Sequence, residues 1–71
     1  MVDIQKLKEN IESSGVTMSA LASNSGIERT TLYNRLAGIG EFTASEIDGL
    51  SRALRLTKPQ RDAIFFAKGL K

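Results

Sequence analysis

The sequence predicts an all-α domain built from five short helices. Three observations predict it. Apolar residues recur at spacings of three and four along nearly the whole chain, Gly, Ser or Thr breaks the period at short intervals, and Thr17, Thr43 and Thr57 each stand directly before a periodic run, where N-caps belong. With 71 residues and no linker, repeat or low-complexity run, the chain reads as one compact domain over 1–71.

The first helix is expected over about 3–14, with Ile4, Leu7 and Ile11 on one face, charged residues mostly elsewhere, and Gly15 as its stop. Thr17 caps a second helix over about 18–25, barely two turns long, whose Leu21 and Ala22 face inward. A third, over about 28–37, turns Leu32 and Leu36 inward and ends at Gly38-Ile39-Gly40. Helices this short do not hold alone in water, so they must be clamped by the others.

The fourth helix, about 44–55, opens on "TASE", where Thr43 and Glu46 have capping-box spacing, and Ile47, Leu50 and Leu54 form its apolar face. Gly49 inside it costs roughly 1 kcal/mol relative to Ala, a price that suits a close approach by another helix. The fifth, about 58–68, opens on "TKPQ" with Thr57 as cap, Gln60 at N3 and Pro59 harmless in the first turn. Ile64 and Phe65 should complete the core, whereas Phe66 points roughly 100° further round and Leu70 follows the helix, leaving at least one of them exposed.

Composition narrows the function. Cysteine and histidine are both absent, which removes the commonest nucleophile, general base and zinc ligands, so neither an enzyme nor a metal or cofactor site is expected. A catalytic site built from Ser, Lys and carboxylates is a remote alternative, and "GIG" follows a helix rather than joining a strand to one, unlike a phosphate loop. The opening "MVDIQKLKEN" is charged at once, and no run approaches the roughly 18 apolar residues of a membrane span, so a cytoplasmic protein without a membrane partner is expected. The net charge of +2 is uneven: from position 51 onward Arg52, Arg55, Lys58, Arg61, Lys68 and Lys71 face Asp62 alone. Such asymmetry permits nucleic-acid contact, and equally suits a solvated face.

The stretch "MSALASNSGIERTTLYNRLAG" carries the sharper signal. Between the second and third helices the chain reverses within a few residues, which requires a positive φ at Gly26; Ile27 plugs the angle and Ala22 allows close crossing, the geometry of a helix-turn-helix unit. With Leu32 and Leu36 inward, the opposite side of the third helix presents Arg29, Thr30, Tyr33 and Asn34, with Glu28 at its start. In a major groove Arg bonds guanine O6 and N7, Asn bonds adenine N6 and N7, and a Thr methyl touches thymine, each good contact discriminating by roughly 1–3 kcal/mol. The same residues would also serve as ordinary solvent-facing positions of a bundle.

At these residues the chain resembles the helix-turn-helix of phage Cro and repressor proteins. Thr17, Leu21, Ala22, Gly26, Ile27, Thr31 and Leu32 match that pattern in register, and "EIDGLSRALRLT" is similar to the family's following helix through Ile47, Leu50, Ala53, Leu54 and Leu56. The resemblance covers about residues 3–68 and departs at two positions: Met18 replaces a Gln that commonly touches the DNA backbone, and Glu28 replaces a frequent capping Ser. It implies a five-helix, lambda-repressor-like fold and a sequence-specific transcriptional regulator binding a double-stranded DNA operator, of a size closer to Cro than to a two-domain repressor. By its pattern Glu28, Arg29, Thr30, Tyr33 and Asn34 read bases, with Glu28 expected chiefly to cap the helix. Thr17, Ser19, Arg35, Gly40 and Thr43 lie nearer the DNA backbone. Reading two half-sites roughly 34 Å apart implies a homodimer, for which Ile39, Phe42, Phe66 and Leu70 are candidate contacts. A competing expectation is a protein-interaction module on the same scaffold that modulates a partner repressor, favoured by Met18, by Glu28 and by the acidic balance of the first 50 residues.

Overall fold

The computed structural model describes residues 1–67. Within them the chain is all-helical, with α1 (Ile4–Ser14), α2 (Met18–Ser25), α3 (Arg29–Leu36), α4 (Ala44–Ala53) and α5 (Lys58–Phe65), and no strand among the described residues. The caps set the starts. Thr17, Thr43 and Thr57 accept from the amides of Ala20, Glu46 and Gln60, and Glu46 and Gln60 return a bond to the backbone of Thr43 and Thr57, closing two capping boxes. Asp3 caps α1 through Lys6 N–H at 3.0 Å, so that helix begins one residue later than the periodicity suggests.

Four further helix boundaries differ from the sequence-based expectation. Glu28 is the N-cap of α3 by backbone position, yet its side chain makes no capping bond, which corrects the role expected for it. At the other end Ala37 leaves the helix as its C-cap. α4 stops at Ala53 because Arg55 turns left-handed at φ 54° and Leu56 N–H reaches back to Ser51 C=O at 2.9 Å. A left-handed residue other than Gly costs roughly 1–2 kcal/mol, which the return bond and the half-buried Leu56 help to offset. α5 ends at Phe65, since Phe66 adopts φ −123° and ψ 31°; residue 68 of the expected helix lies outside the described residues.

Leu7, Ile11, Leu21, Ala22, Ile27, Leu32, Leu36, Leu50, Ile64 and Phe65 make one core, with Ile47, Leu54 and Phe42 half-buried against it. Each fully buried Leu contributes roughly 1.5–3 kcal/mol, so Leu7, Leu21, Leu32 and Leu50 do much of the clamping that helices this short require. α2 and α4 pack most intimately. At Gly49 a Cβ would run into the Ser25 carbonyl at the end of α2, and only glycine admits that approach. α1 and α5 are tied at their ends by Asp3 N–H to Ile64 C=O at 2.7 Å.

Candidate functional site

The angle between α2 and α3 is made by three residues. Gly26 takes φ 75°, Ile27 N–H bonds Ala22 C=O at 3.0 Å, and the Ile27 side chain is buried, so the turn is closed by backbone and core together. Ser25 Oγ donates to Leu21 C=O at 2.6 Å and ties off the end of α2. α3 therefore leaves α2 in a fixed direction.

Its register follows from burial. Leu32 is fully buried and Leu36 nearly so, which leaves Glu28, Arg29, Thr30, Tyr33 and Asn34 outside the core, with Tyr33 52% exposed. All five expected reading residues are thus exposed; Arg29, Thr30, Tyr33 and Asn34 lie within about 140° of one another around α3, and Glu28 stands at its start. Arg29 is restrained: its Nη1 donates to Ser19 Oγ at 2.8 Å across the α2–α3 angle, a link that residue spacing alone did not reveal. The free Glu28 carboxylate sits beside it at the helix start. Because no side chain caps α3, its first turn keeps amides that the helix itself cannot pair.

The residues expected near a DNA backbone divide into two groups. Thr17 and Ser19 are exposed at the start of α2, with the Thr17 hydroxyl committed to Ala20 N–H. Arg35, Gly40 and Thr43 belong to a lock on the α3–α4 loop. Arg35 is only 20% exposed; its Nε lies 3.3 Å from Glu46 Oε1, and its Nη1 donates to Ile39 C=O. The same Glu46 oxygen accepts from Thr43 N–H, and any side chain at position 40 would strike the Arg35 guanidinium. Glu46, which the sequence marked only as a capping residue, therefore joins α3, the loop and α4.

The expected dimer contacts also part company. Ile39 is 60% exposed and Phe66 54% exposed, the latter with the Arg61 guanidinium 6.0 Å from its ring centre. Phe42 instead turns inward, its ring edge-on to Phe65 with centroids 5.6 Å apart, which removes most of it from any outer contact. Leu70 lies outside the described residues. Met18, found where the resembling family carries Gln, is half-buried against the core, so its apolar side chain serves packing rather than a polar contact.

Among the described residues no helix is long and apolar enough to cross a membrane. Comparison with protein families finds no matching family, and comparisons with curated proteins and with solved structures find no significant match.

Proposed function

We propose that this chain is a sequence-specific regulator of transcription that binds double-stranded DNA, with α2 and α3 as a helix-turn-helix and α3 laid in the major groove. The observation that carries the reading is the exposure of Glu28, Arg29, Thr30, Tyr33 and Asn34 on a helix that Leu32 and Leu36 anchor in the core. Arg29 is the residue for guanine, held ready by Ser19; Asn34 is the residue for adenine; Thr30 offers a methyl to thymine. Thr17 and Ser19, exposed at the start of α2, suit flanking phosphates. The Glu28 carboxylate repels phosphate and accepts from cytosine N4, so it acts as a filter on sequence.

The α3–α4 loop enters through Arg35, whose half-buried guanidinium holds the Ile39 carbonyl and so sets the loop beside the groove rather than reaching for phosphate itself. A homodimer on two half-sites follows from the few base pairs one helix covers, with Ile39 and Phe66 as its apolar contacts. The protein works in the cytoplasm of a bacterial or phage-infected cell, without enzymatic activity. The alternative, a module that docks on a partner repressor, draws on those same two exposed apolar residues.

Selection of bound duplexes from a random pool tests the reading. Enrichment of a two-fold symmetric sequence supports it. Absence of any enriched sequence, together with tight binding to a second protein, replaces it with the alternative.

A further inference from the structure

Away from α3, the turn between α4 and α5 gathers charge around a shallow hollow of about 340 Å³. Arg52, Arg55, Lys58 and Arg61 line it together with Ser51 and Thr57, and Asp48 is the only acid among the described residues that line it. Asp48 is committed to Arg52, its Oδ2 3.2 Å from Nε, and Arg61 is paired with Asp62 at 3.2 Å. Arg55 and Lys58 form no ion pair with any described residue, so the hollow keeps a positive surplus.

Two further features point to an acceptor-rich occupant. Ser51, one of the residues lining the hollow, has a buried Oγ with no hydrogen-bond partner among the described residues. The Lys58 amide, first in α5, is one the helix cannot pair, while the Thr57 hydroxyl is already used on Gln60. The residues lining the hollow thus carry an unpaired helix-start amide, a guanidinium and an ammonium, with a buried hydroxyl that has no partner among the described residues. A phosphodiester, with several acceptor oxygens and one charge, fits that set better than a carboxylate.

We propose that the α4–α5 turn is a second nucleic-acid contact, sequence-independent, in which Arg55 and Lys58 neutralise backbone phosphates apart from the row on α3. The assignment rests on the nucleic-acid reading above but not on α3 being the reading helix. Its test is affinity for a random-sequence duplex across a series of salt concentrations, comparing the full chain with Arg55→Gly/Lys58→Gln. Gly at position 55 keeps the positive φ without strain, so the turn survives. Lys58→Gln alone is the second variant, and thermal melts check both folds. The slope of log affinity against log salt is expected to fall by about 1.8 in the double variant and about 0.9 in the single one. The sequence preference recovered by selection should stay unchanged.

An unchanged slope in a folded variant overturns the proposal. So does a phosphate-only result, in which inorganic phosphate shifts the Lys58 amide resonance while duplex affinity ignores both substitutions. The two readings fail separately. If Arg29→Ala and Asn34→Ala leave every sequence bound equally well while the slope still falls, the α3 reading is lost and this contact stands. If those variants alter preference and the slope stays put, the reverse holds.

Discussion

Replacing Gly49 by Ala should destabilise the protein although it removes a glycine from the middle of a helix. On propensity alone the change is worth about 1 kcal/mol in favour of Ala. Against it stands the Ser25 backbone. An ideal Cβ at position 49 lies 3.0 Å from the Ser25 carbonyl carbon and closer still to its oxygen, where an ordinary carbon–oxygen contact needs roughly 3.3 Å or more. Backbone cannot swing aside as a side chain can, so α4 must withdraw from α2 by about 1 Å, and overpacking of that kind costs roughly 1–3 kcal/mol. Taking the upper end because both partners are main chain, the net loss is about 2 kcal/mol, or about 8–16 °C in Tm for a domain of this size. Thermal melts followed by circular dichroism measure it, with Asp48→Ala as an exposed control in the same helix. A Gly49→Ala protein that melts higher than the parent would refute the close approach of α2 and α4. A further readout follows, because α2 carries the angle that aims α3, and a displaced α2 should weaken duplex binding in protein that is still folded.

Asn34→Ala should relax base preference by roughly 1–3 kcal/mol at one position of a selected site while nonspecific affinity changes little; equal losses on every duplex would remove Asn34 from base reading. Phe66→Ala should leave the melt nearly unchanged and shift sedimentation towards the monomer, since the ring is 54% exposed; a large drop in Tm instead would assign Phe66 to the fold. Glu46→Gln keeps an acceptor for Thr43 N–H but loses the charge facing Arg35, so it should cost about 0.5–1 kcal/mol in urea denaturation. Faster amide exchange in the loop after α3 is expected alongside, and unchanged exchange would show that the ion pair does not hold that loop.

The helix starts were legible because each rests on a local rule: a threonine followed three residues later by Glu46 or Gln60 closes its own box within one turn. Helix ends were harder. Arg55 adopts the left-handed conformation normally left to glycine, and the sequence signal for that, the return bond to Ser51, involves only main-chain atoms. The exposed face of α3 was readable from Leu32 and Leu36 alone, because burying two residues four apart fixes the rest of the helix. What the face touches was not. Arg35 meets Glu46 eleven residues away and Arg29 meets Ser19 ten residues away, partners that periodicity does not choose among. The inward turn of Phe42 was not legible for the same reason: it stands outside any helix, and only the tertiary position of Phe65 draws it inward. Glu28 failed as a cap although carboxylates often serve there, and the structure offers no further account of why its side chain turns away.

Tyr33 has a practical consequence. The chain holds no tryptophan and this one tyrosine, and that ring sits half in solvent on α3 while the core is entirely aliphatic and phenylalanine. Phenol emission from the native protein is therefore a spectroscopic window on a single helical face. Docking of any ligand there should alter quenching or anisotropy without a dye being attached, whereas melting of the interior leaves the fluorophore in much the same watery surroundings and must be followed by other means.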